Sequence, residues 1–260
     1  MSLNNCIDIV SRHDPDKFLA LMAGDNAFRQ VAFPIYAFNV EVSRVPWITS
    51  ESLIAEMRLM WWQELLEAIE LGKIVPEHPI SSNLSQNLDK RNFAIKLLKK
   101  TIIARRWDIY SESHESNNDL WEYVEHTSSN LLAACSNIDE SVISFGRGIG
   151  MASYLMAVPK LLKAGKKPLP DLSEEGVYRL AKEALFQIQS IKKINLDKSL
   201  FPIFRIGWIA PIVLKKIISN PKALLNGTVQ LSEFRKKITL FKLTLLNRYY
   251  HLYFLKAKIR

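Results

Sequence analysis

An all-α fold in a single domain is what this 260-residue sequence predicts, and three observations carry it. Apolar residues recur at helical spacing along most of the chain. No segment alternates apolar and polar residues between hairpin turns, as a half-buried strand would. The breaks between periodic segments are short and built from Pro, Gly, Ser and Asn, with neither a low-complexity linker nor an internal repeat. About eight to ten helices are expected, in one domain spanning residues 1–260.

Taken in order, Met57–Ile69 places apolar groups at 57, 60, 61, 65 and 69, one stripe of a helix. Phe93–Ile109, Asp119–Ala134, Val142–Leu162, Ser173–Ile191 and Phe204–Ile218 read the same way. Breaks are expected at Ile74–Asn87, Ser111–Asn118, Gly165–Asp171, Asn195–Pro202 and Ser219–Gly227. Asp171 and Ser173 are cap-type residues ahead of a helix. Pro211 falls inside an apolar helical pattern and should kink or restart it. In 234–260, polar residues recur at Lys237, Thr244, His251 and Lys258, with Asn247 and Arg248 on the same side. That pattern predicts a basic, amphipathic carboxy-terminal helix, suited either to the core or to a membrane interface.

Composition narrows the class. A 48% hydrophobic content allows a sizeable core. No run of about 18 uncharged apolar residues occurs, so no transmembrane helix is expected. Phe201–Leu214 is interrupted by Arg205, and Ile238–Leu255 by Lys242, Arg248 and His251. The amino terminus has neither a secretory pattern nor an Arg-rich presequence pattern. Cys6 and Cys135 form no metal motif and no disulfide framework, which fits a reducing compartment. Residues 1–140 hold 13 basic and 20 acidic residues, a net of −7, whereas residues 141–260 hold 22 and 6, a net of +16. One half docking on the other would account for this. So would a basic face for anionic lipid headgroups or a diphosphate. No nucleic-acid module is present, and no nucleic-acid partner is expected.

Several segments say more than periodicity does. They are Arg12–Phe18 (RHDPDKF), Tyr36–Trp47 (YAFNVEVSRVPW), Arg58–Trp62 (RLMWW) and Ala104–Asp108 (ARRWD). Asp119–Tyr123 (DLWEY) with Thr127–Leu132, then Gly148–Pro159 (GIGMASYLMAVP) and Lys163–Pro170 (KAGKKPLP), complete the set. In this order and spacing they resemble the squalene/phytoene synthase family. The resemblance implies an isoprenoid-synthase fold, a helical bundle around a central cavity. In active members, carboxylates on two facing helices hold Mg²⁺ against an allylic diphosphate. Such a metal lowers the barrier by several kcal/mol, and each ~1.4 kcal/mol is about tenfold in rate. Here the resemblance puts Ser43, Arg44 and Trp47 where the first carboxylates would stand. It puts Met156 on the second motif's arginine, with Ala157 and Leu161 on its aspartates. A guanidinium and an indole supply no hard oxygen ligand.

The YAFNxE and RLxWW forms resemble a degenerate branch of that family, the assembly factors of respiratory complex I and their bacterial relatives. What this implies is a non-catalytic helper that meets an anionic membrane surface and a complex I subunit. It would sit in the cytoplasm, peripheral to the inner face of a bacterial membrane, or on the matrix side in an organelle. No cofactor is expected, with Mg²⁺ entering only if the chain is an enzyme. The cavity candidates are Tyr36, Glu41, Arg44, Arg58, Trp62, Asp108 and Met156, facing an isoprenoid or lipid ligand. Two alternatives stand beside this: a head-to-head prenyltransferase with noncanonical ligands, and an isoprenoid or lipid carrier.

Plainer roles are available for most of these residues. Asp108 can pair with Arg105, and Arg44 and Arg58 with Glu41 or another acid. Trp61 and Trp62 suit core and cavity wall. Glu64, Glu67 and Glu70 suit a solvated helix face. The acid pairs Glu115/Asp119 and Asp171/Glu175 suit caps, and Asp108/Glu112 runs off a helix end. Histidines 13, 78, 114, 126 and 251 show no ligand spacing. Gly146, Gly148 and Gly150 fit no phosphate loop and suit close helix packing.

Overall fold

Fourteen α-helical segments and one π-helical turn make up the computed structural model, in which residues 3–110, 113–136, 140–190 and 200–245 are described. They are α1 (Asn4–His13), α2 (Pro15–Met22), α3 (Asn26–Ile48), α4 (Ser52–Glu70), α5 (Ser81–Leu88), α6 (Asn92–Tyr110) and α7 (Asn117–Val124). The π turn (Glu125–Ser129) leads into α8 (Asn130–Cys135), followed by α9 (Glu140–Lys163) and α10 (Glu174–Ser190). Then come α11 (Phe201–Arg205), α12 (Ala210–Ser219), α13 (Pro221–Leu225) and α14 (Glu233–Leu245). The chain divides into two compact units, residues 1–112 with 130–138, and residues 113–129 with 139–260.

The count exceeds the expected eight to ten because short helices fill segments read as breaks. α5 begins within 74–87 and runs one residue past it, and α13 lies within 219–227. The single helix expected over Asp119–Ala134 is interrupted by the π turn. There the Thr127 hydroxyl donates to the Tyr123 carbonyl at 2.8 Å, the group an undistorted α-helix reserves for the Thr127 N–H. Pro211 restarts the helix: it occupies the first turn of α12, where its missing N–H costs nothing. Within 234–260, α14 accounts for residues to 245, and 246–260 lie outside the described residues.

The first unit packs α3 against α1, α4 and α8, with Phe33, Phe38, Leu59, Leu65 and Leu66 fully buried. Pro34 stands inside α3 and cannot donate to the Gln30 carbonyl one turn back. The Asn87 side-chain amide supplies the missing donor, reaching Gln30 O at 3.0 Å and Val31 O at 2.7 Å. Arg91 orients that amide by donating to Asn87 Oδ1 at 2.8 Å, while its other terminal nitrogen donates to the Ala134 carbonyl of α8 at 2.7 Å. One asparagine and one arginine thus tie α3, α5 and α8 together.

On α4 the buried stripe is Ala55, Leu59, Trp62, Leu65, Leu66 and Ile69. Two members of the stripe expected from the sequence, Met57 and Met60, face outward at 58% and 49% exposure. Apolar residues occupy more than one face of this helix, so spacing alone could not choose between them. Of the acids on α4, Glu64 is solvated as expected. Glu70 instead pairs with Lys99 at 2.6 Å and Glu67 accepts from Gln63 at 3.1 Å.

At the head of α2, Asp14 caps the helix by accepting from the Lys17 N–H at 3.0 Å. Burial pushes its carboxyl above the usual range, and neighbouring Lys17 only partly offsets this. The folded chain therefore binds this proton more tightly than the unfolded chain. Stability from this group falls as pH climbs from 3.8 through the raised folded value. Asparagine caps equally well. Asp14→Asn is expected to raise the denaturation midpoint at pH 7, with the gap over wild type closing as pH drops to 3.8; urea titrations across that range check it.

The second unit is organised on α9, which contacts the π turn, α7, α10, α12 and α13. Its glycines allow close approach. A Cβ on Gly146 would lie 2.5 Å from Ser129 Cα, and one on Gly150 2.5 Å from Ser128 Cβ. Among the described residues α9 alone is long and apolar enough to cross a membrane, yet 61% of its apolar window is buried within the protein. Phe145 meets Phe204 edge-on at 4.9 Å, beside fully buried Trp208. His114, 5% exposed, forms a polar knot with Tyr154 at 3.2 Å, and Tyr154 donates in turn to the Pro168 carbonyl at 2.8 Å. That hydroxyl has one proton, so His114 Nε2 is the donor to it.

The charge contrast between sequence halves is smaller between the units. The first has 13 basic and 14 acidic residues, net −1, and the second 22 and 12, net +10. The acids at 115, 119, 122 and 125 belong to the second unit, so the excess of acid seen in residues 1–140 is shared between both.

Candidate functional site

Five of the singled-out residues lie on α3, whose Asp25 cap accepts from the Phe28 N–H at 2.8 Å. Tyr36 is buried, and burial pushes its hydroxyl pKa well up, with Cys135 and Asp14 adding to the effect. The Cys135 thiol is likewise pushed up to about 12 by burial. Both remain neutral at physiological pH, so they serve as packing and hydrogen-bonding groups. Ser43 turns its hydroxyl back onto its own helix, donating to the Val40 carbonyl at 3.2 Å.

Arg44 corrects one expectation. Its guanidinium donates to His13 Nε2 at 3.0 Å, whereas the sequence suggested an acid such as Glu41. An arginine side chain carries no acceptor, so His13 Nε2 takes the accepting role in this bond. Trp47, at the end of α3, is 47% exposed.

Glu41 lies beside a histidine that the sequence did not single out. His78 sits in the turn before α5, with its ring 5.3 Å from Trp61 and 5.0 Å from Trp62, and Trp62 meets Phe38 edge-on at 5.5 Å. The Ile80 N–H approaches His78 Nδ1 at 3.4 Å, which leaves the ring proton on Nε2. Burial against the indoles pulls the His78 pKa down, and the Glu41 carboxylate pulls it partly back. No spacing links residue 78 to 41 or 61, so only the fold could reveal the cluster. Trp62 is core, 4% exposed.

Asp108 pairs with Arg105 one turn earlier on α6, at 3.1 Å, with both side chains mostly covered. Arg58 is exposed and makes no ion pair among the described residues. Residues 111 and 112 lie outside the described residues, so Glu112 has no account. In the second unit, on α9, Met156 is 38% exposed, Ala157 half-buried and Leu161 buried. Ser116 and Asp119 form a reciprocal capping box on α7, and Asp171 accepts from the Ser173 N–H at 2.8 Å. Hydrogen bonds from the Ser173 hydroxyl and N–H hold the Asp171 carboxyl below its usual pKa.

A Mg²⁺–diphosphate centre needs several carboxylate oxygens converging from two helices. At the motif positions on α3 the groups are a hydroxyl bonded to its own backbone, a guanidinium bonded to histidine, and an indole. On α9 they are a thioether and two aliphatic side chains. Among the described residues, no three His, Cys, Asp or Glu side chains gather as a metal centre requires. This donor set does not fit the metal of the prenyl synthases.

The comparisons with known proteins agree with the helical architecture. The chain belongs to the squalene/phytoene synthase family, whose match spans residues 10–171. Its curated relatives include the Drosophila melanogaster homolog of NADH dehydrogenase (ubiquinone) complex I assembly factor 6, 28% identical over 179 residues, covering 64% of this chain and 52% of the relative. The Homo sapiens assembly factor 6 is 25% identical over 162 residues, covering 59% and 48%. The Dictyostelium discoideum homolog is 21% identical over 202 residues, covering 69% and 56%. The chain thus spans about half the length of these relatives.

Two solved structures share the fold. A dehydrosqualene synthase bound to a ligand superposes with a TM-score of 0.71 at 15% identity, covering 95% of this chain and 97% of that one. The squalene synthase HpnC from Alicyclobacillus acidocaldarius gives 0.65 at 14% identity, covering 85% and 94%. The fold is that of the isoprenoid synthases.

Proposed function

We propose that this chain is a non-catalytic squalene/phytoene synthase-like protein that helps assemble respiratory complex I at a membrane surface. The observation that carries the reading is the chemistry at the two motif positions. Ser43, Arg44 and Trp47, with Ala157 and Leu161, replace the oxygen ligands that the reaction needs. The assembly role is supported by the similarity to the assembly factor 6 proteins of fly, human and slime mould. The membrane surface is supported by the +10 charge of the second unit. It is also supported by α14, where Phe234, Ile238 and Phe241 are exposed one helical turn apart beside Arg235, Lys237 and Lys242. The partner is then a complex I subunit at the inner face of a bacterial membrane, or at the matrix face in an organelle.

Two measurements test this. Purified chain incubated with farnesyl or geranylgeranyl diphosphate, with and without Mg²⁺ or Mn²⁺, is expected to release no diphosphate above background. Metal-dependent release abolished by Glu41→Ala or Asp108→Ala would replace the reading with a prenyltransferase. Deleting the chain from its host is expected to lower the amount of assembled NADH:quinone oxidoreductase on native gels. Normal assembly without it would overturn the helper role, and a lipid copurifying in stoichiometric amount would then favour a carrier.

A further inference from the structure

We infer that α14 is an in-plane anchor, lying along an anionic phospholipid surface with Phe234, Ile238 and Phe241 inserted among the lipids. This anchor presupposes the membrane surface proposed above, and fixes which helix, which face and which lipid class make the contact. Thr239 and Leu243 form the buried side of α14, at 4% and 2% exposure. Each residue of an α-helix turns by about 100°. Phe234, Ile238 and Phe241 then fall within roughly 60° of one another, on the side away from Thr239 and Leu243. They are 75%, 38% and 61% exposed, a narrow apolar ridge along the helix.

Charge sits where an interfacial helix needs it. Lys237 stands about 70° to one side of the ridge, and Lys242 and Arg235 about 70° and 90° to the other. All three are exposed, and none makes an ion pair among the described residues. Glu233 is the one acid in the sequence of α14, and Lys236, on the half-buried side, holds it at 3.0 Å. Lysine and arginine stems flanking an apolar ridge reach up to lipid phosphates while the ridge sits deeper. The bias continues along the sequence, where residues 234–260 include eight Lys or Arg and no Asp or Glu.

Size separates lipid from protein. The exposed fractions of the ridge amount to less than two fully exposed large side chains, roughly 350 Å² at ~200 Å² each. One side of a standard protein–protein interface buries about 800 Å², more than twice as much. A bilayer asks for no shape complement and gains from each apolar group inserted. It also supplies the negative surface potential that cations at both edges of the ridge attract. A nucleic acid would take up the cations and leave the aromatic ridge in water.

Flotation of the full chain with lipid vesicles tests this. Wild type is expected to bind vesicles of phosphatidylcholine and phosphatidylglycerol in equal parts at least about tenfold more strongly than phosphatidylcholine alone. Phe234→Ser/Phe241→Ser should weaken that binding about tenfold or more. Lys237→Glu/Lys242→Glu should abolish the preference for phosphatidylglycerol. Both pairs are exposed, so helical circular dichroism should stay unchanged. Binding is read on purified chain, so it succeeds or fails independently of complex I levels in a deletion host. Equal binding to the two vesicle types would overturn the inference, as would binding indifferent to the phenylalanine pair. So would no binding at all, whether the chain stays monomeric or covers the ridge with a second copy.

Discussion

Arg91→Ala is expected to lower the unfolding free energy by about 3–4 kcal/mol. The substitution removes two charge-assisted hydrogen bonds, to Asn87 Oδ1 and to the Ala134 carbonyl, each contributing roughly 1.5–3 kcal/mol when formed by a charged group. It also removes the guanidinium lying 5.5 Å from the Phe93 ring centre. The larger consequence is indirect. Without Arg91 the Asn87 amide loses its orientation, and the Gln30 carbonyl that Pro34 leaves without a donor loses its partner. Arg91→Lys should recover little, because an ammonium cannot span both acceptors as the planar fork does. Asn87→Ala should cost about 2 kcal/mol, and the double variant less than the sum, since both act in one network. Urea unfolding of the four proteins measures this; strict additivity would mean that the two side chains act independently.

Gly148→Ala is expected to cost about 2 kcal/mol, although alanine is the better helix former by ~1 kcal/mol. An added Cβ would stand 2.6 Å from the Ala184 carbonyl oxygen, 2.5 Å from Ile188 Cγ1 and 3.1 Å from the Ile188 nitrogen. Two of these are backbone atoms of α10, so relief requires α9 and α10 to separate. Overpacking of this kind costs roughly 1–3 kcal/mol and sometimes more. Ser153→Ala, at an exposed position of the same helix, should be neutral or slightly stabilising. Thermal unfolding distinguishes them: a drop of about 4–8 °C is expected for Gly148→Ala at this chain length, and no drop for Ser153→Ala. Equal behaviour of the two would show that the helices can part at little cost.

The close packing behind that prediction was legible in the sequence, since glycines at 146, 148 and 150 matched no phosphate loop. Which helix each one admits was not. The 148 position faces Ile188 of α10, while 146 and 150 face Ser129 and Ser128 of the π turn. Similarly, Asp119–Ala134 reads as one helix because a π turn adds a single residue, which hardly disturbs the apolar rhythm. The short helices α5 and α13 escaped for the opposite reason. They are too short to show a period, and prolines and serines surround them.

The side chains at the two motif positions are a matter of residue type, and residue type is what a sequence states. Ser43, Arg44, Trp47, Ala157 and Leu161 cannot become carboxylates in any conformation. The helical positions and the restart at Pro211 were equally local, since spacing and the missing proline N–H act within one turn. Only the tertiary structure decided what these groups touch. It placed His13, not Glu41, against Arg44, gathered His78 with Glu41 and the paired tryptophans, and turned Met57 and Met60 outward. The reason is physical: α4 carries apolar side chains on more than one face, and a contact between residues 31 or 37 positions apart leaves no trace in local spacing. Burial is settled by what else the helix meets, and that is a property of the packed chain alone.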